Sequence, residues 1–221
     1  MEKEIRNIVI EFRANEENRT IEGRAIPFNV FSPNHEGFRE MISPEAVEGV
    51  IEKSDIKFLY NHDGSKGFLA RNNKGKGTLK IDVREDGVYF SFKAKKDNLS
   101  NYVYDRLVSG ELDEMSWAFT IAEDGDRWIK AEDGVYERTI VKFDRLYDFS
   151  AVDTSYYGIP NVVSARFAEI QEADRKALEE AQRLEEEKRQ AEEEAKRQEE
   201  EREKEEQLAS YYKELKEKYL N

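Results

Sequence analysis

Between residues 8 and 152 apolar and polar positions alternate with period two in short runs, the pattern of half-buried β-strands. "IVIEF" alternates Ile8, Ile10 and Phe12; "TLKIDV" alternates Leu79, Ile81 and Val83; "VYFSFKA" alternates Val88, Phe90, Phe92 and Ala94. Arg84, Glu85, Asp86 and Gly87 separate the last two runs and contain an Asp-Gly turn signal, which predicts a β-hairpin over residues 78–94. "IKFLY" places Ile56, Phe58 and Tyr60 on one face. "EMSWAFTI" sets Met115, Trp117, Phe119 and Ile121 against Ser116, Ala118 and Thr120, and "LYDFSAV" sets Leu146, Asp148, Ser150 and Val152 against Tyr147, Phe149 and Ala151. Two stretches have helical spacing instead. "SPEAVEGVIEKS" has Ser43 as cap, Pro44 at the first helical position and Val47, Val50 and Ile51 behind them. "NLSNYVYDRLVSG" has Asn98 and Ser100 as cap candidates, Leu99, Val103 and Leu107 as its apolar face and Gly110 as a stop. A mainly β domain with a few helices (α+β), a small barrel or sandwich, is expected.

The pattern changes near Phe167. Beyond it glycine, proline and β-branched residues nearly vanish and Glu, Lys, Arg, Gln and Ala take over, so a boundary falls there and a long charged α-helix follows. Three segments result: residues 1–166, a charged rod over 167–206, and an amphipathic aromatic helix over 207–221. The rod repeats a Glu triplet beginning at Glu185, Glu192 and Glu199, a seven-residue period, with Glu185 to Arg189, Glu192 to Lys196 and Glu193 to Arg197 as pairs four apart. A seam through Ala177, Ala181, Leu184, Lys188, Ala191 and Ala195 is small or charged, which leaves both a single solvated helix and a weak coiled coil open. Leu208, Tyr211, Tyr212, Leu215 and Tyr219 then share one helical face, suited to a partner's groove, to self-association or to packing back on the first domain.

Charge narrows the function classes. The formal net charge is -13, and residues 168–206, with 17 acidic and 9 basic side chains, carry -8 of it. Such acidity argues against nucleic acid and anionic membranes as partners. With no cysteine and two histidines, thiol catalysis, Cys-ligated zinc and a His-rich metal centre are set aside. The N-terminus is charged from its second residue, unlike a secretory signal, and no stretch approaches the roughly 18 apolar residues of a membrane span; a soluble protein is expected.

Three residues are candidates for chemistry. His62 comes directly after "IKFLY", and a strand end beside a Gly-containing loop both fixes a side chain and leaves room for substrate; a turn residue in "NHDG" making a local hydrogen bond is the plain alternative. Ser116 points away from its strand's apolar face, and a serine is a nucleophile only with a base within hydrogen-bond reach and a third group orienting that base. His62 is the candidate base, since His35 lies in the turn-like "SPNHEG". Asp148 is a carboxylate in an otherwise apolar strand and needs a partner, whether an imidazole, Arg145 or a backbone amide.

In chain order these pieces resemble the prohead maturation proteases of tailed bacteriophages, serine peptidases related in fold to the herpesvirus assemblins. The resemblance rests on "IEGRAIPFNV", "EMISPEAVEGVI", "FLYNHDG", "LVSGELDEMSWAF" and "LYDFSAVDTSYYGIPNVVSAR", and covers residues 5 to 166. It implies a closed or partly open assemblin-like β-barrel, with His62 as general base, Ser116 as nucleophile and Asp148 as orienter. The family usually has a glutamate where Asp148 stands, and Asp63, beside the histidine, is a competing acid. The resemblance implies peptide hydrolysis through an acyl-enzyme without metal or organic cofactor, inside the immature prohead in the host cytoplasm. Its implied partners are the major capsid protein, cut at its scaffolding segment or through a separate scaffold, and the chain itself through autocleavage or a homo-oligomer. A non-enzymatic scaffolding factor with a helical tail, in which Ser116 is only structural, is the rival class; a generic β-rich binding module with a helical stalk is a second, and it predicts no convergence of His62 and Ser116.

Overall fold

The computed structural model describes residues 3–9, 13–153 and 161–219. Ile10, Phe12 and residues 154–160 lie outside these, as do the side chains of Ile8, Leu215 and Tyr219. The described strands are β1 (Glu4–Val9), β2 (Arg13–Asn15), β3 (Thr20–Pro27), β4 (Phe38–Ile42), β5 (Asp55–Tyr60), β6 (Ala70–Asn73), β7 (Lys76–Gly77), β8 (Lys80–Arg84), β9 (Gly87–Lys93), β10 (Glu114–Ile121), β11 (Asp126–Lys130), β12 (Tyr136–Ile140) and β13 (Phe143–Val152). Helix α1 (Asn98–Val108) precedes β10 and α2 (Asn161–Tyr219) follows β13. The described residues are therefore mainly β with two α-helices, one of them long and C-terminal. Its contacts divide it into two compact units, Met1–Val162 and Val163–Asn221.

The described residues of the first unit form three sheets, ordered β1-β10-β13-β5-β6-β7, β11-β12-β4 and β2-β3-β9-β8, and among these residues the sheets are not closed into a barrel. Phe58 of β5, Phe90 and Phe92 of β9 and Phe149 of β13 join the first sheet to the third, with the Phe58 ring 5.0 Å from Phe90 and 4.6 Å from Phe92. Tilted aromatic pairs at this spacing add attraction beyond the apolar area that they bury. The hairpin expected near Asp86 is β8 and β9, paired antiparallel with Arg84 opposite Gly87. The turn residues are Glu85 and Asp86, so the glycine opens the next strand; a Cβ on Gly87 would lie 2.4 Å from the Ile26 carbonyl oxygen, so only glycine lets β3 and β9 approach there.

Strand β10 runs between β1 and β13 and is buried from Met115 to Ile121, so both of its faces are covered. In β13 the simple alternation fails. Ala118 opposes Asp148 while Phe119 opposes Leu146, which leaves Tyr147 as an extra residue, a β-bulge. Leu146 consequently joins the core with Phe149 and Ala151, whereas the uninterrupted alternation had put it on the face of Asp148 and Ser150.

Of the two predicted helices the second forms, as α1 with Val103 and Leu107 buried, and the first does not. The stretch after Ser43 is a 3-10 turn over Pro44–Val47; Ser43 makes no side-chain cap bond, and Gly49, with φ 64, ends the winding within a turn. The cap of α1 is Asp97, whose carboxylate accepts the Ser100 N–H at 2.8 Å, one residue before the first candidate. The second unit is the α2 rod, exposed from Ala168 through Glu214 apart from half-buried Ile170. Its ion pairs differ in partner from the sequence reading, because Arg189 reaches back to Glu186 at 2.7 Å, three residues away. Arg175 bridges Glu172 and Glu179 at 2.7 and 2.5 Å, and Glu172 also pairs with Lys176 at 3.3 Å, the expected Glu-first spacing of four but ahead of the Glu triplets.

A buried ion cluster ties the first sheet to the second. Arg138 of β12 donates to Asp126 of β11 at 2.8 Å, to Glu4 of β1 at 2.9 and 3.0 Å, and to Glu40 of β4 at 3.0 Å. Arg6 of β1 donates to the same Glu4 and Glu40, and all five side chains are nearly without solvent exposure. Burial would push the Glu40 carboxyl up, but the charges and hydrogen bonds of Arg6 and Arg138 outweigh it and hold it below the usual carboxylate range.

Removing one member of such a cluster leaves buried charge uncompensated, so Arg138→Met is expected to lower unfolding free energy by about 3 to 5 kcal/mol, read from urea denaturation. A depressed folded pKa means that the unfolded chain takes up protons first as pH falls, so the Glu40 contribution is complete above the ordinary glutamate value of about 4.3 and is lost below it. The urea midpoint should hold from neutrality to about pH 5 and fall below about pH 4, with a smaller acid-dependent fall in Glu40→Gln.

Candidate active site

Three adjacent strands bring Ser116, Asp148 and His62 together. In the antiparallel pairing of β10 with β13, Ser116 stands opposite Ser150 and Ala118 opposite Asp148, so Ser116, Asp148 and Ser150 share one face. Strand β5 runs parallel to β13 on its other side, with Tyr60 opposite Ala151, and His62 follows two residues later. Asn61 and His62 both have left-handed backbones, φ 52 and 56, and the Asp63 N–H closes the turn on the Tyr60 carbonyl at 3.0 Å. Asparagine tolerates this conformation better than histidine does, so the turn needs support. The Asn61 side chain supplies it, donating to the Asp153 carboxylate at 2.8 Å and accepting the Asp153 N–H at 3.0 Å. Asp153 is held in turn by Tyr60, 2.5 Å away, and by an ion pair with Arg106 of α1 at 3.0 Å. The strained turn is clamped from three elements.

So held, the imidazole of His62 lies between acid and alcohol. Its Nδ1 is hydrogen-bonded to Asp148 Oδ1, and its Nε2 lies 2.5 Å from Ser116 Oγ. With Asp148 ionised, Nδ1 carries the proton and Nε2 presents a lone pair to the serine hydroxyl. Burial alone would push the Asp148 carboxyl up; the His62 hydrogen bond, the charges of His62 and Lys3 and the Ser150 hydroxyl outweigh it and hold the group below its usual range. Ser116 is fully buried, and its hydroxyl has a second acceptor in the Arg6 carbonyl oxygen at 2.9 Å. The arrangement can move the serine proton to Nε2 and balance the resulting imidazolium against a carboxylate.

All three candidate residues therefore converge within hydrogen-bond reach. Asp63 faces elsewhere, accepting the Ser65 N–H at 2.9 Å at the start of the 3-10 turn Gly64–Lys66, and His35 sits at an isolated bridge with Phe38. Two further groups touch the site. Ser150 Oγ donates to Asp148 Oδ1 at 2.8 Å and lies 3.2 Å from His62 Nδ1, and Lys3 Nζ reaches Asp148 Oδ2 at 3.1 Å. The period-two spacing of Asp148 and Ser150 was a usable signal for the first; Lys3, 145 residues from its partner, had none.

None of the curated proteins matches the chain. Among solved structures, the bacteriophage T4 capsid assembly protease, gp21, aligns with 68% of this chain and 96% of its own, at 11% identity and a TM-score of 0.38. A family model described as the caudovirus prohead serine protease matches residues 8–174. That span takes in every strand from β2 onward and all three converging residues, and the chain belongs to the caudovirus prohead serine protease family.

Proposed function

We propose that the chain is a prohead maturation serine endopeptidase that cleaves the scaffolding segment of the major capsid protein, or a separate scaffold, and itself. The observation that carries this reading is the unbroken chain of contacts from Ser116 Oγ through both nitrogens of His62 to Asp148 in a member of a serine protease family. Ser116 attacks the scissile carbonyl while His62 Nε2 takes its proton, and the proton then passes to the leaving amine. Asp148 keeps the ring in the tautomer with Nδ1 protonated and offsets the imidazolium charge. Water hydrolyses the acyl-enzyme by the same steps in reverse roles. Because Ser116 has no solvent exposure, a substrate carbonyl reaches Oγ only after a neighbouring group moves, a step suited to a protease that acts inside an assembling shell in the host cytoplasm.

The second unit is assigned to recruitment. A long exposed rod that carries Leu208, Tyr211 and Tyr212 near its end, all more than half exposed, suits engagement of scaffold or capsid protein.

Wild-type protein and Ser116→Ala, each incubated at high concentration alone and with the cognate capsid protein, should differ in mass spectra. Fragments are expected with the wild type alone, and an intact chain and intact capsid protein in both samples from folded material would rule out the peptidase reading. Deletion of residues 208–221 should abolish packaging of the protease into proheads while leaving peptide cleavage within about twofold of wild type; normal packaging would refute the recruitment role.

A further inference from the structure

The outer oxygen of the Asp148 carboxylate carries a contact that the proton relay does not use. Asp148 Oδ1 serves His62 and Ser150, whereas Oδ2 accepts from the ammonium group of Lys3 at 3.1 Å. The two partners differ in setting: the Lys3 side chain is 42% exposed and that of Asp148 is 3% exposed. The pairing follows from the fold. Lys3 directly precedes β1, whose register with β10 puts Glu4 opposite Phe119 and so brings the preceding residue to the edge of the face that holds Ser116 and Asp148. The bulge at Tyr147 completes the seat, because the Lys3 ammonium also lies 5.2 Å from the Tyr147 ring centroid, within cation–π range. Lys3 lies ahead of the span that the family model matches, residues 8–174.

The electrostatic consequence has a definite sign. With Asp148 and His62 alone, protonating the imidazole turns a buried net charge of minus one into a neutral pair, which favours the imidazolium. With the Lys3 ammonium on Oδ2 the carboxylate is already neutralised, and protonating His62 leaves the group with net positive charge in a site of low exposure. Lys3 thus opposes formation of the imidazolium. The other charged groups around Asp148 are Lys57, opposite it on β5, and Asp144 and Arg145 earlier on β13; β10 brings only Ser116, Ala118 and Thr120 to that face.

We propose that Lys3 is a positioning residue of the active site, which neutralises Asp148 from its outer oxygen and so keeps His62 in the neutral form that accepts the Ser116 proton. The proposal rests on the triad reading. Its test does not need turnover, because the chain has two histidines and both imidazole signals can be followed in an NMR pH titration of the full protein, with His35→Gln assigning them. In Lys3→Met and in Lys3→Gln the His62 midpoint is expected about 0.3 to 1 pH unit above wild type, the size of a partly exposed ion pair, and Lys3→Arg should return it to within about 0.2 unit. Lys57→Met removes an equal charge from the same face and measures the diffuse effect alone. A His62 midpoint in Lys3→Met that coincides with wild type, or that moves no further than in Lys57→Met, overturns the proposal. A wild-type protein that cuts nothing would instead count against the protease reading and would leave this titration to decide the role of Lys3.

Discussion

A carboxylate as deeply buried as that of Asp148 cannot remain ionised unless donors reach it, and the arrangement around it follows from meeting that demand. Donors come from His62 beyond β5, from Ser150 within β13 and from Lys3 before β1, so three of the four strands in the order β1-β10-β13-β5 serve one charge, and β10 brings Ser116 to the same face. A change in that order would strand the carboxylate among apolar side chains. Fold and site are in this sense one problem, solved by pairing segments up to 145 residues apart.

Strand β1 belongs to both halves of the solution. Glu4 and Arg6 point into the ion cluster with Glu40 and Arg138, while the Arg6 carbonyl faces the Ser116 hydroxyl on the neighbouring strand. The cluster fixes where that carbonyl sits, and the carbonyl gives the serine proton a resting acceptor other than His62. Rigidity in the second sheet thereby reaches Ser116 through main chain rather than through side-chain contact.

What could be read from the sequence was local. The β8–β9 hairpin, the inward row of Met115, Trp117, Phe119 and Ile121, and the placing of His62 at a strand end all depend on residues a few positions apart, and they appear as expected. The convergence of His62, Ser116 and Asp148 was suggested by the order of motifs along the chain, because spacing within a motif carries no information about sheet order. The helix after Ser43 was overestimated because apolar spacing at Val47, Val50 and Ile51 counted for more than Gly49, whose left-handed backbone ends the turn. Glu4, Arg6, Glu40, Asp126 and Arg138 look like ordinary surface charges one at a time, and only tertiary pairing makes them core. The face of Leu146 was misassigned because a bulge leaves no mark in a hydrophobic pattern.

That bulge sets the phase of the strand. Residues on the two sides of Tyr147 are read in different frames, Leu146 toward the core on one side and Asp148 and Ser150 toward the serine on the other. The single unpaired residue works like an inserted letter that shifts everything after it. Evolution along this strand is therefore constrained in length before it is constrained in chemistry. Loss of Tyr147 itself would leave plain alternation, with Leu146 still opposite Phe119 and Asp148 still opposite Ala118, whereas loss of a paired residue such as Phe149 would turn Asp148 and Ser150 to opposite faces while keeping both in the sequence.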